Sequence, residues 1–564
     1  MADIHADVEW SRLLPRIDAK SGYCPETKIF HSLRPPFSLP PPEIPLSAAA
    51  YLRSLLGSSP DAAASTALVD ARTGFRISYA ELLDRSDRLA TSLICEGLVL
   101  PGGLCVAFVL APNSLHLPLL YLALLSLDVA VSPANPLGTP ADVSRQFRLT
   151  KPAIAFATSD TAHKLPPTNR LRVVLLDSPE FDAMTSGPTS LIPPQVVRQS
   201  SPAAILYSSG TTGKVKGVVL SHRNLIAAVA FARSICRDQA EPAGVYLVAV
   251  PMFHVYGFMR WLGMAAVGET AVVMDKFELG RALKAVEEFK VTHFPVAPPV
   301  VVAMTKEGAS TEKYDLCSLR EVWSGGAPLP VATAHRFTAK FPRVLLVQGF
   351  GLTESAECVS QTLGEEESRR SGSAGRLSPN MEAKIVDPVT GDALPPGRTG
   401  ELWLRGPALM KGYVGDDAAA ATAMSIDGEG WLRTGDLCYI DEDGFLFVVD
   451  RLKEVIKYKG YQVPPAELEH LLQTHPEIVD AAVIPYPDEE AGQIPMAFVV
   501  TTPQSRLDPA RVMDFVAPQV APFKKIRRVA FVNSIPKNPT GKILRRELRK
   551  LAISGTSTTT ASKL

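Results

Sequence analysis

From about residue 47, short apolar runs alternate with longer stretches in which apolar residues recur every three or four positions. Residues 79–96 carry that helical spacing, and the continuous run 105–110 behind them has the length of a buried strand. Residues 153–157, 172–176, 203–207, 246–250 and 271–274 repeat the strand signature. The most apolar stretch, 117–131, is short for a membrane span and contains Asp128, so it predicts a buried helix running into a strand. Strands alternating with helices predict an α/β fold with largely parallel sheets.

The texture changes after about residue 380. Residues 383–386, 400–405, 436–440 and 445–449 read as short strands separated by Asp/Gly/Pro turns, which predicts a small, mainly β unit over about 380–449. Asp450-Arg451-Leu452-Lys453 then leads into a second α/β pattern: helical at 465–473 and 509–517, strand-like at 480–485, 496–501 and 528–532. A chain of 564 residues is too long for one core. The predicted organisation is an extended, proline-rich lead-in over 1–46, a large domain over 47–449, a hinge at 450–453, a smaller α+β domain over 454–552, and a tail over 553–564.

Charge and cysteines narrow the function. Lys+Arg and Asp+Glu both number 58, so there is no basic excess for a broad nucleic-acid surface. The seven cysteines contain no CxxC pair, which argues against a zinc site or a disulfide framework and fits a reducing compartment. Asp3, His5, Asp7 and Glu9 exclude the basic start of a secretory signal. The Ser/Thr-rich tail carries Ser562-Lys563-Leu564, a tripeptide read by the peroxisomal import receptor, so peroxisomal import is expected.

The strand at 203–207 opens into Ser208-Ser209-Gly210-Thr211-Thr212-Gly213-Lys214-Val215-Lys216-Gly217. Glycines allow close backbone approach, hydroxyls and N–H groups can donate to phosphate oxygens, and Lys214 and Lys216 supply counter-charge. It is not a Walker A loop, and by composition alone it could equally be a flexible linker. Further along stand Gln348-Gly349-Phe350-Gly351-Leu352-Thr353-Glu354, Thr434-Gly435-Asp436, the Asp450–Lys453 string, Lys457-Tyr458-Lys459-Gly460-Tyr461-Gln462-Val463 and Pro539-Thr540-Gly541-Lys542.

These six ordered motifs resemble those of the adenylate-forming superfamily of acyl-CoA ligases, luciferases and peptide-synthetase adenylation domains. The likeness covers nearly the whole chain from about residue 30 and is strongest to plant 4-coumarate–CoA ligases and their peroxisomal ligase-like relatives. It implies an enzyme that activates a carboxylic acid with ATP as an acyl-adenylate, releasing pyrophosphate, and passes the acyl group to coenzyme A. Mg²⁺ is implied beside Glu354. Ser208, Ser209, Gly210, Thr211, Thr212, Lys216, Gln348, Gly349, Thr353 and Arg451 match positions that contact ATP or AMP. Phe350 would stack on adenine, Asp436 would accept from the ribose hydroxyls, and Lys542 would bridge the attacking carboxylate and the α-phosphate. Read singly, Glu354 is a solvated acid, Asp436 a turn aspartate and Lys542 one lysine among many.

Two half-reactions need two environments. The resemblance implies that the small domain rotates about Lys453, and that Lys457, Lys459, Gly460 and Gln462 then replace Lys542 on the thiol side. His254 would shape the thiol approach, with a core histidine as the alternative. Lys276 would contact the CoA nucleotide, and Tyr256, Arg260, Gly326, Gly349, Lys453 and Lys457 would hold the acyl-adenylate. The likeness loosens at Arg260 and Trp323, where hydroxycinnamate enzymes carry a small polar and a smaller apolar residue. If both face the acyl pocket, it is shorter or holds a second anionic or polar group; if Arg260 points outward, nothing follows. A luciferase-like oxygenase and a non-catalytic acyl- or nucleotide-binding homologue are the competing readings.

Overall fold

The computed structural model describes residues 16–56, 64–99, 105–167, 171–188, 195–208, 215–235, 243–306, 310–356, 358–459, 461–538 and 541–554. Two large sheets form the main body. In the first, Val129–Pro133, Cys105–Leu110, Ile154–Ala157 and Arg172–Leu175 run parallel beside Pro202–Ser208, and Lys216–Ser221 and Gly412–Val414 add an antiparallel edge. In the second, Leu345–Gly351, Glu321–Ser324, His293–Val296, Val245–Val248, Thr270–Val273 and Thr66–Asp70 form a parallel centre with short antiparallel strands at both edges.

Helices fill the space between these sheets. His116–Ser126 is apolar on every face and buried from Leu117 to Leu125, as the sequence predicts for an interior helix. Tyr79–Cys95, His222–Ile235 and Val255–Ala266 share its core with both sheets. A second cluster packs Leu279–Phe289, Pro298–Thr305 and Val331–Lys340 on the outer face of the second sheet. The result is helices on both faces of mostly parallel sheets, which leaves the carboxyl ends of the strands open for a ligand.

A six-stranded antiparallel sheet holds Glu382–Val386, Gly400–Arg405, Leu432–Ile440 and Leu446–Arg451. Its other two strands come from the expected lead-in. Tyr23–Cys24 and Ile29–His31 form a hairpin whose Ala383 partner, Phe30, is fully buried. The expectation of an extended segment over 1–46 is corrected there: strands of two and three residues carry too little periodicity to be seen, and the strand that receives the hairpin, Glu382–Val386, lies some 350 residues along the chain.

After Arg451 the chain enters a smaller sheet of Ile456–Tyr458, Tyr461–Val463, Ile478–Asp488, Gly492–Thr501 and Arg528–Phe531. Its two long strands exceed the segments 480–485 and 496–501 seen in the sequence because prolines do not break them. Pro485 and Pro495 sit directly opposite each other, where neither needs an N–H. Apolar clusters cover both faces of this sheet. Among the described residues, no helix is long and apolar enough to cross a membrane.

Candidate active site

Three structural edges converge at one cleft. Ser208 ends its strand directly opposite Lys216, so residues 209–215 join two antiparallel strands. Ser209, Gly210, Thr211 and Thr212 lie outside the described residues. The Ser208 hydroxyl donates to Glu354 Oε1 at 3.1 Å. Tyr413 donates to the same oxygen, also at 3.1 Å, and the Lys216 ammonium sits 4.4 Å from the centre of the Tyr413 ring. Glu354 is held on the tight turn Thr353–Ser355 by the Leu352 N–H donating to Ser355 Oγ and by the Met410 N–H donating to the Glu354 carbonyl. Its Oε2 accepts no hydrogen bond among the described residues.

Asp436 and Arg451 stand opposite each other on adjacent strands. Arg451 Nε lies 2.6 Å from Asp436 Oδ1, while Asp436 Oδ2 is buried with no hydrogen-bond partner among the described residues. Burial pushes the carboxyl up to about 6, against the pull of Arg451 and Lys542. An acceptor left so costs free energy unless a donor reaches it, and a vicinal diol supplies two.

Lys542 reaches this place from the small domain. Its turn is closed by the Asn538 N–H donating to the Lys542 carbonyl at 2.9 Å and the Lys542 N–H donating to Asn538 Oδ1 at 2.8 Å. Gly541 has φ +83°, and a Cβ there would come within 2.6 Å of Pro299 on the helix Pro298–Thr305. Burial first, then Arg451 and Lys453, lower the Lys542 ammonium to about 8, opposed by Asp436 and Glu454. His254 is lowered to about 4 by burial and by the same ammonium. One cation thus acts on both the Asp436 carboxyl and the His254 ring.

His254 caps the helix Val255–Ala266, with its Nδ1 accepting from the Tyr256 N–H at 3.3 Å. Gly257 lets that helix start against the chain, since a Cβ would run into the Pro251 carbonyl. Beyond His254 opens a cavity of about 90 Å³ bordered by Tyr256, Met259, Arg260, Trp323, Gly326 and Gly349 among others. Tyr256 donates to the Trp323 carbonyl at 2.8 Å and lies beneath Gly325. Both Arg260 and Trp323 face the cavity, with the guanidinium 4.5 Å from the indole centre.

The AMP-binding enzyme family matches residues 58–414, and the AMP-binding enzyme C-terminal domain matches residues 467–542. The chain belongs to the AMP-binding enzyme family. It is 54% identical over 560 residues to 4-coumarate–CoA ligase-like 9 of Arabidopsis thaliana, covering 97% of this chain and 98% of that protein. It is 45% identical to peroxisomal OPC-8:0-CoA ligase 1 of the same plant, covering 95% and 99%. Among solved structures, ATP-bound MatB from Rhodopseudomonas palustris superposes with a TM-score of 0.80 at 26% identity, over 90% of this chain and 99% of that one.

In this AMP-binding enzyme the sequence-predicted residues divide into two groups. Ser208, Lys216, Glu354, Asp436, Arg451, Lys542, His254, Tyr256, Arg260, Gly326 and Gly349 gather around the cleft and cavity. Gln348 and Phe350 flank Gly349 on the strand Leu345–Gly351, Thr353 begins the turn that carries Glu354, and Lys453 sits beside Arg451 and Glu454. Lys276, Lys457 and Lys459 are exposed and are not brought to the cleft. Lys457 and Lys459 belong to the hairpin at 456–463, whose Lys457 N–H donates to Gln493 Oε1, while the Lys542 turn occupies the cleft. Gly460, the Gln462 side chain and Ser562-Lys563-Leu564 lie outside the described residues. Two residues carried no motif. Tyr413 reaches Glu354 from a three-residue strand, and Arg545 ties the segment after Lys542 to Glu469 at 2.7 Å and Glu454 at 3.3 Å.

Proposed function

We propose that this enzyme joins a carboxylic acid to coenzyme A through an acyl-adenylate. The observation that carries the reading is the meeting in one cleft of Lys542, the His254–Arg260 cavity and an Asp436 Oδ2 that has no partner among the described residues. AMP ribose hydroxyls would donate to Asp436, with Arg451 fixing the carboxylate's orientation. A carboxylate oxygen of the acid attacks the α-phosphorus, a new O–P bond forms, and the bond to pyrophosphate breaks. Charge grows on the phosphate oxygens as it does so, and the Lys542 ammonium, kept desolvated, stabilises it where water would screen it.

Mg²⁺ fits as a phosphate-bound ion. Among the described residues no three His, Cys, Asp or Glu side chains form a cage, while Glu354 offers one free carboxylate oxygen, and Mg²⁺ is commonly held by one or two carboxylates plus substrate phosphates. When bound it supplies neutralising charge to the phosphate oxygens.

In the second half-reaction the CoA sulfur attacks the acyl carbonyl, the thioester bond forms and AMP leaves. His254, held neutral at physiological pH, leaves that approach uncharged. The exposed Lys457, Lys459 and Lys276 are available to CoA once the small domain turns about Lys453. A peroxisomal address is supported by the relative named as a peroxisomal ligase.

The test is pyrophosphate release and acyl-CoA formation over a panel of acids, with ATP, Mg²⁺ and CoA. CoA-dependent thioester without oxygen uptake supports the reading. Pyrophosphate release with oxygen uptake would point to an oxygenase, and no pyrophosphate with any acid to a binding protein.

A further inference from the structure

The acyl cavity is bordered by a cation, Arg260, that has no hydrogen-bond acceptor among the described residues. Arg260 follows Tyr256 by four residues on Val255–Ala266, so the two side chains share one face, and both border the cavity. The guanidinium rests on the Trp323 indole, 4.5 Å from its centre. It makes no hydrogen bond and no ion pair among the described residues. The nearby carboxyls hydrogen-bond elsewhere, and Glu269 attracts the Arg260 charge without bonding it. Glu321 accepts the Trp323 indole N–H at 2.6 Å, and Glu269 accepts from the Tyr246 hydroxyl. A guanidinium presents five N–H donors in a planar fork. The indole face attracts its charge but accepts none of those bonds in-plane.

We propose that the acid activated by this enzyme carries an oxygen acceptor, a carbonyl or a second carboxylate, at the end remote from its reacting group, and that Arg260 reads it. The inference rests on the ligase reading above. His254 marks the reacting end and lies six residues before Arg260, a separation of roughly 9 Å at the helical rise per residue. An acid of medium length therefore spans the two. Tyr256, Phe231, Met259 and Trp323 offer apolar walls for the chain between. An acid lacking the distal oxygen leaves the Arg260 donors without an acceptor on the ligand, which is how a polar site disfavours an apolar analogue.

Octanoic, 7-oxooctanoic and octanedioic acids have nearly equal length and differ at the far end. Pyrophosphate release by the full-length enzyme gives kcat/KM for each. At least one oxygenated acid should exceed octanoic acid by about 10- to 100-fold. Arg260→Met should abolish that ratio, and Arg260→Lys should keep part of it. Preference for the oxo acid identifies a neutral carbonyl as the natural partner, and preference for the diacid identifies an anion. Equal kcat/KM for all three acids in the wild-type enzyme, or an unchanged ratio in Arg260→Met, would overturn the inference and leave the ligase reading standing. Pyrophosphate release from none of a broad panel of acids would remove both. Because the wild-type ratio decides by itself, the test holds even if a variant folds poorly.

Discussion

Asp436 and Arg451 pair across two strands at 2.6 Å, and the pairing uses only one of the two carboxylate oxygens. The other stays buried and without a partner among the described residues, on a carboxyl that feels the charge of Lys542. An ion pair built for stability alone would satisfy both oxygens, because a half-satisfied buried carboxylate costs more than it contributes. The arrangement therefore fits a ligand that brings donors.

This makes nucleotide binding pH-dependent in a defined sense. Burial raises Asp436 to about 6, so the free protein takes up a proton as pH falls through that value and loses its acceptor. The Kd for AMP, measured by calorimetry, should be flat above pH 7 and rise by up to about tenfold per pH unit below 6. Asp436→Asn should bind weakly at every pH and show no such rise. A wild-type Kd independent of pH between 5 and 8 would contradict the ribose assignment.

Lys542 gives the opposite limb. Its ammonium titrates near 8 in the free enzyme, so kcat/KM for adenylation should fall as pH rises through about 8, because the charged form is lost. Lys542→Ala should lower acyl-AMP formation by about 10²-fold or more. Thioester formation from supplied acyl-AMP should be spared, since another face of the small domain serves that step. Equal loss of both activities would remove Lys542 from its role.

The site was legible in the sequence wherever its residues sit inside ordered strings. Asp436 follows Thr434-Gly435 and Lys542 follows Pro-Thr-Gly, and both arrive at the cleft. Tyr413 could not be found that way. Its strand is three residues long and falls within the stretch read as the β unit, yet it pairs with Lys216–Ser221 on the edge of a different sheet. The hairpin at 23–31 escaped for the same reason. Nothing local marks a pairing fixed only by tertiary packing. The inward aim of Arg260 was also beyond sequence, because it depends on which face of Val255–Ala266 meets Trp323.

Gly541 offers a way to block one conformation alone. Ala there must adopt φ +83° and place its Cβ 2.6 Å from Pro299, so the Lys542 turn cannot seat. Gly541→Ala should therefore depress adenylation with little effect on thioester formation from acyl-AMP, although every charged residue of the cleft remains. Stopped-flow assays of the two half-reactions would show the split. Matching losses in both would mean that the turn is needed for folding and not for docking.

Arg545 tests whether the small domain's own architecture carries Lys542. It is buried between Glu469 and Glu454, and its neighbours hold it in the charged form despite that burial. Glu469 is itself pushed up to about 7 by burial while Arg545 pulls the other way. Arg545→Met leaves two carboxylates without their cation, and removing one partner of a buried pair typically costs about 3–5 kcal/mol. The small domain should unfold at lower urea than the rest, with adenylation lost alongside thioester formation, which separates this variant from Gly541→Ala. Adding Glu469→Gln should recover part of the stability by removing the carboxyl with the stronger contact. If the double variant is no more stable than the single one, the cost lies in lost packing of the Arg545 stem rather than in the unmatched charge.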